Sequence, residues 1–429
     1  MGADVDRDTG VALPGRHELS QKVLPVMPKR RRWLAIHLGW KRRSGGRWWP
    51  AGHGASPGAR TLGRVIRRTA RTSLAALTAV VVGVGLAGCA AGSTGPAPVW
   101  RGATPGPTPS DTGAVRPEPS APVEVRLAFA GDVHFTGRTL GLLDDPETAF
   151  GAIASTLRDA DVTLVNLETA VTDRGTLQPK TYHFRAPKTA FAALRAAGVD
   201  AASIANNHIL DYGQQGLSDT LDAATEAQYP VFGAGRDADA AYAPWFTTVR
   251  GLRIAVLGMS QVHDLAGSWR ATDTRPGVAM AFDPARATAA VRSAREQADL
   301  VIVFMHWGVE GNSCPSGEMK TFAGRLSEAG ADIVVGTHAH TLLADGWLGQ
   351  TYVHYGLGNF LWYGNSHSTD SGVLNLVVRD RTVVDSQFVP ATVSGSGQPV
   401  PATAVGKQRI LDKLATAQRC TGLAAKHPG

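Results

Sequence analysis

From Val123 to about residue 395, short and almost unbroken apolar runs alternate with amphipathic or alanine-rich stretches, and no other feature restricts the fold as much. The runs predict strands at Val125–Ala130, Val162–Asn166, Ala201–Ile204, Val231–Gly233, Arg253–Leu257, Leu300–Phe304, Ile333–Val335 and Thr351–Tyr355. Between them, helices are predicted at Ala149–Leu157, Thr189–Ala197, Gly216–Gln228, Asp283–Ala298 and Lys320–Ala329. A strand that is apolar at nearly every position is buried on both faces, so the pattern implies parallel or mixed sheets covered by helices. Val373–Val378 and Thr382–Val389, joined by Arg379-Asp380-Arg381, predict a closing hairpin. One α/β domain is expected over 123–395, with a loosely patterned tail over 396–429.

Polar motifs follow these strands in order: Asp132-Val133-His134, Asn166-Leu167-Glu168, Asn206-Asn207-His208, His306-Trp307-Gly308 and His338-Ala339-His340. Open α/β sheets gather their chemistry at the carboxyl ends of strands. Taken singly, each motif has an ordinary explanation. Asp132 suits a helix cap, Glu168 a solvated loop acid, and Asn206-Asn207 a turn, while a lone histidine after a strand is usually structural. Five histidines on successive strand ends (His134, His208, His306, His338, His340), with Asp132 and Asn207, favour a dinuclear metal site over coincidental polar loops. Imidazole, carboxylate and amide donors favour Zn, Mn or Fe over Ca.

The net charge of +7 is unevenly spread. Residues 1–88 carry 16 of the 43 Lys/Arg and 4 of the 36 Asp/Glu, leaving 27 basic against 32 acidic residues in the rest. The folded part is therefore mildly acidic, and no nucleic-acid partner is expected. Arg64, Arg67, Arg68 and Arg71 precede an apolar run from Leu74 to Leu86, which ends in Leu86-Ala87-Gly88-Cys89. This is the pattern of an export signal over 64–88, and its ending resembles a bacterial lipobox with Cys89 as the lipidated residue. The alternatives are a plain secreted form or a transmembrane anchor, for which the run is short of the ~20 apolar residues needed. Residues 89–122, dense in Pro, Ser, Thr, Gly and Ala, suit a disordered tether. The basic extension 1–63 is expected to reflect a start site placed too early, or a cytosolic arm. With Cys89 assigned, Cys314 and Cys420 form an even pair in an exported protein, where a bridge between them is expected.

The spaced motifs resemble those of the calcineurin-like metallophosphatase superfamily and, within it, the CapA or poly-γ-glutamate capsule-synthesis family. The matches are Gly131-Asp132, Asn166-Leu167-Glu168, Tyr182-x-Phe184-Arg185-Ala186, Asn206-Asn207-His208, His306-Trp307-Gly308, Gly336-x-His338-x-His340 and Tyr355-Gly356-Leu357-Gly358-Asn359-Phe360. They cover about residues 125–365. Two departures stand out: the superfamily's Gly-Asp bridging motif is missing, so that Glu168 or Asn166 takes its place, and Ala339 replaces a proline between the paired histidines.

The resemblance implies a four-layer α-β-β-α sandwich with mixed sheets and two divalent ions. Asp132, His134 and His340 would hold one ion, and Asn207, His306 and His338 the other, with Glu168 shared. Asp132 and His208 are the expected catalytic residues, His208 as proton donor to the leaving group. Lys180 and Arg185 are the expected contacts to an anionic substrate, although both also read as ordinary surface charges. The partners implied are an anionic polymer or phosphoester, the capsule-synthesis machinery, and the membrane through a lipid anchor, which places the domain outside the cytoplasm. A tethered metal-dependent hydrolase and a non-hydrolytic factor in polymer assembly or export are both compatible with this. A lipid-anchored solute-binding lobe, the third alternative, requires no metal.

Overall fold

The computed structural model describes residues 123–363 and 367–429. The basic extension, the export signal, Cys89 and the tether all lie outside the described residues.

Two mixed sheets carry the architecture. The first contains β1 (Glu124–Val133), β2 (Val162–Leu167), β3 (Ala201–Ser203) and β4 (Val231–Phe232), mutually parallel in that order. The second contains β5 (Trp245–Val249), β6 (Leu252–Ser260), β7 (Leu300–Trp307), β8 (Ile333–His338), β9 (Leu342–Leu348) and β10 (Thr351–Leu357), in spatial order β9-β10-β8-β7-β6-β5. The chain then returns to the first sheet. There β11 (Asn359–Leu361) pairs parallel with β1, and β12 (Asp370–Arg379), β13 (Thr382–Val393) and β14 (Pro399–Pro401) extend the other edge antiparallel.

Alternation along each strand sorts its side chains into layers. Val125, Leu127 and Phe129 of β1 meet Ile302 and Phe304 of β7 and Ile333 and Val335 of β8 in a core between the sheets. The opposite face of the first sheet packs on α1 (Ala154–Arg158), α2 (Thr189–Ala196) and α3 (Gly213–Glu226), through Leu157, Phe191, Leu194 and Leu217. The outer face of the second packs on α4 (Pro284–Gln297) and α5 (Gly317–Ala329), through Val291, Phe322 and Leu326. This is the four-layer α-β-β-α sandwich that the family resemblance implies. Each fully buried Val, Leu, Ile or Phe contributes about 1.5–3 kcal/mol, so the central layer and the two helix-covered faces all stabilise the sandwich.

Three local features differ from expectation. The strands β5 and β9 are antiparallel edges whose half-exposed or Asp- and Gly-containing sequences hide them from an apolar-run search. Residues 149–157 begin as a 3₁₀ turn, and only 154–158 are α-helical. The expected loose tail is ordered: α6 (Ala404–Thr421) lays Ile410 and Leu414 on Leu342 and Ala344, and Cys420 is disulfide-bonded to Cys314. A helix face of such low apolar density is weakly visible in sequence but sufficient when a covalent link holds it in place.

Candidate metal centre

The parallel strands of both sheets end on one side of the sandwich, and their ends carry the site. Gly131 allows β1 to reach it: a β-carbon there would lie 1.9 Å from the Gly358 carbonyl oxygen. The Asp132 amide donates to that same carbonyl at 2.9 Å, and the register with β2 shifts at this point. Gly336 in β8 plays the matching part, since a β-carbon would meet the Tyr355 carbonyl oxygen at 2.1 Å. Beyond it, His338 and His340 both adopt positive φ, 87° and 53°. Left-handed backbone costs a non-glycine residue of order 1–3 kcal/mol, and such strain concentrates at functional sites.

Asp132 is completely buried and held from several directions. Its Oδ1 accepts from Asn166 Nδ2 at 2.8 Å, and its Oδ2 accepts from the His338 amide at 3.2 Å and lies 3.4 Å from His340 Nδ1. His340 Nδ1 also meets Asn359 Oδ1 at 2.8 Å. Burial pushes the Asp132 carboxyl up, but the bond to His340, the charge of His306 and the Asn166 amide together hold it below its ordinary value. Burial likewise pulls His340 down, but the bond to Asp132 and the charges of Glu168, Asp132 and Glu310 outweigh it and raise the imidazole to about 9.

Glu168 is the anomaly of the site. It is fully buried, and neither carboxylate oxygen has a hydrogen-bond partner among the described residues. His306 Nε2 lies 3.5 Å and His208 Nε2 3.8 Å from its Oε1. Burial, reinforced by the charge of Asp132, raises its carboxyl well above the usual range. His306 Nε2 also faces Asn207 Oδ1 at 2.8 Å, while burial holds His306 down at about 3. His338 is buried as well, with Nδ1 unpartnered among the described residues and its imidazole held well below the usual range by burial and by His306.

These donors fit divalent cations. Asp132, Glu168 and His340 form one group with donor atoms within 4.8 Å of one another, and Glu168, His306 and His338 form a second. Glu168 belongs to both. An unpaired buried carboxylate costs several kcal/mol, and such groups are normally paired or bound to metal.

Other residues serve as supports. Asn206 donates to Asn166 Oδ1 at 3.0 Å, and its own Oδ1 accepts the amides of His208 and Ile209. His208 Nδ1 lies 2.6 Å from Asp211 Oδ2, and the ring stacks on Phe184 with centroids 3.9 Å apart. Burial raises Asp211 to about 7 against the opposing Lys180 ammonium. Asp211 is missing from the sequence reading, although its spacing of three after His208 was an available signal.

Two expected site residues take different parts. His134 belongs to none of the three-residue donor groups. Its ring packs against Phe184, Trp362 and Tyr363, and Nδ1 accepts the Thr136 amide at 3.1 Å. Burial holds it down at about 3, as a neutral wall residue. Lys180 turns inward, with Nζ 3.1 Å from Asp211 Oδ1, bonded to the Asn207 carbonyl and 5.1 Å from the Trp269 ring centroid. Its charge is spent behind His208. Arg185 stays on the surface, its guanidinium 4.8 Å over Tyr212.

A pH prediction arises from His340. Its value in the metal-free folded chain lies above its ordinary 6.5. The stabilisation from its pairing with Asp132 is therefore fully present below about pH 6.5 and lost as pH rises through about 9. Metal-free protein is expected to lose stability between pH 7 and 9, as read by chemical denaturation, and a flat profile would contradict the pairing.

Comparison with known proteins identifies the family of the chain. The family model "Bacterial capsule synthesis protein PGA_cap" matches residues 126–363, which span the centre from β1 to Tyr363. The chain is 30% identical over 317 residues to the capsule biosynthesis protein CapA of Bacillus anthracis, covering 70% of this chain and 76% of that one. It is 29% identical over 295 residues to the PGA biosynthesis protein CapA of Bacillus subtilis, covering 67% and 77%. A phosphatase structure from Mycoplasma pneumoniae overlaps 68% of this chain and 98% of its own at 12% identity and a TM-score of 0.41, too remote to bear on chemistry. With the family model running the length of the site and a relative of 30% identity over most of both chains, this protein belongs to the PGA_cap family of bacterial capsule synthesis proteins.

Proposed function

We propose that this protein is an exported, lipid-anchored capsule-synthesis protein with a two-metal, phosphoesterase-like hydrolytic centre directed at an anionic envelope polymer or phosphoester. The observation that carries the reading is Glu168, a buried carboxylate without a hydrogen bond in the overlap of two donor groups. Asp132 and His340 would hold one cation and His306, His338 and Asn207 the other, with Glu168 common to both; the donor set suits Mn, Fe or Zn. Bound there, divalent cations supply Lewis acidity and offset charge on the attacking and leaving oxygens. Burial and the Lys180 ammonium hold the His208 imidazole well below its usual range. Asp211 fixes the ring through Nδ1, and Nε2, facing the centre, would donate to the leaving group once the ring has taken up a proton. Asn166 holds Asp132, and Phe184 confines the His208 ring.

Anchoring at Cys89 and exposure outside the cytoplasm rest on the lipobox-like sequence, and the Cys314–Cys420 bridge is in keeping with an oxidising compartment. The relatives' names, "Capsule biosynthesis protein" and "PGA biosynthesis protein", point to a polymer being built rather than degraded. They favour a second reading, in which the metals hold the anionic polymer for assembly or export without turnover.

The test is metal content of the full chain, measured with hydrolysis of a generic phosphodiester, in wild type and Glu168→Gln. Wild type is expected to hold metal and turn over. Glu168→Gln is expected to bind metal at least about tenfold more weakly, because it removes the carboxylate common to both donor groups. Metal without turnover would leave the binding reading standing. No metal under replete conditions would reject both.

A further inference from the structure

We propose that Glu310 is a ligand of the metal centre: a carboxylate arm from the loop after β7 that adds an oxygen donor, from the solvent side, to the cations that His338 and His340 hold. The inference rests on the two-metal reading and adds a residue which that reading does not use.

Glu310, His338 and His340 form a third group of donors, all within 4.8 Å of one another. His338 and His340 are buried, with relative exposures of 5% and 6%, and His338 Nδ1 has no hydrogen-bond partner among the described residues. The Glu310 side chain is half-exposed, and its Oε2 lies 3.2 Å from His367 Nε2. Two buried imidazoles facing one exposed carboxylate make a site that opens to solvent on the carboxylate side only.

The loop is built to hold this register. Gly308 and Gly311 turn it with φ of 101° and 75°, on either side of Glu310. The Gly311 amide donates at 2.8 Å to the carbonyl of Ala339, the residue between the two histidines. The Asn312 amide closes a turn on the Val309 carbonyl at 3.1 Å. Further on, Cys314 is bonded to Cys420 of α6, and Ser316 caps α5 by accepting the Met319 amide. Glu310 therefore sits one residue from a hydrogen bond to the His338–His340 segment, in a loop tied at both ends. A surface acid whose one ion pair among the described residues is with His367 does not require such restraint. A harder oxygen ligand at an otherwise imidazole-rich position also raises the preference of the site for Mn or Fe relative to softer ions.

The experiment is equilibrium dialysis of the full chain against Mn²⁺, with bound metal measured by elemental analysis, for wild type, Glu310→Gln and Glu310→Asp. Glu310→Gln is expected to weaken the Mn²⁺ dissociation constant at least about tenfold, whereas Glu310→Asp, which keeps the carboxylate, retains most of the affinity. Glu310→Gln binding like wild type would overturn the proposal while leaving the two-metal reading intact. An equal loss in both variants would overturn it too, by assigning the effect to the loop and not the ligand. Wild type that takes up no Mn²⁺, Fe²⁺ or Zn²⁺ would remove the two-metal reading and this proposal together.

Discussion

His208→Ala is expected to lower phosphodiester turnover by about 10²–10⁴-fold, the usual contribution of a positioned general acid. Asp211 accepts at Nδ1, 2.6 Å away, so the other nitrogen, Nε2, is the atom that exchanges a proton with the reacting group. Stacking on Phe184 fixes the ring plane, and Nε2 lies 3.8 Å from Glu168, at the edge of the donor cluster and outside the three groups that it forms. Removing the imidazole should therefore leave metal content close to wild type. The loss should be larger for an alkyl leaving group, which needs protonation, than for a nitrophenolate, which does not. Steady-state kinetics on both esters would show this. Equal losses on the two esters, or loss of metal, would assign His208 to another role.

The second large effect concerns the helix that the sequence pattern left as a tail. Cys314 and Cys420 are 106 residues apart, and a cross-link over a loop of that length restricts the unfolded chain strongly. Replacing both by serine is expected to cost about 2–5 kcal/mol, measured by denaturant unfolding of the full chain. The effect should also have a place. Beyond the bridge, α6 is held by Ile410, Leu414, the Lys320 ammonium on the Cys420 carbonyl at 2.6 Å, and the Arg409 and Lys413 ion pairs to Asp370. Amide exchange should therefore rise in α6 and in the 308–316 loop before it rises in β1, β7 or β8. Unchanged stability in the double variant would show that these contacts suffice alone.

The legibility of the site differs from residue to residue for physical reasons. Asp132, Glu168, Asn207, His306, His338 and His340 were visible because each follows a strand, and strands of a sandwich end together. His134 follows β1 equally well, yet it turns into an aromatic wall, because alternation along the chain sends residues two apart to one side only while the strand stays regular, and β1 shifts register just before it. Lys180 had the charge of a substrate contact, but its environment is set by Asp211 and Trp269, which lie 31 and 89 residues further along the chain. Asp211 and Glu310 carried no signal beyond their short spacing from a histidine.

Local pattern alone thus determined most of the buried strands, the main covering helices and the strand ends at which chemistry collects, because burial on two faces leaves a strand no other composition. The proposed export signal and lipidation site are likewise readings of local pattern. Which donors meet was decided only in three dimensions. Asn166 and His306 touch across 140 residues at 3.2 Å, and the His338 amide reaches Asp132 across 206 residues at 3.2 Å. Contacts at such separations depend on sheet order and on close backbone crossings at Gly131 and Gly336, which no periodicity records.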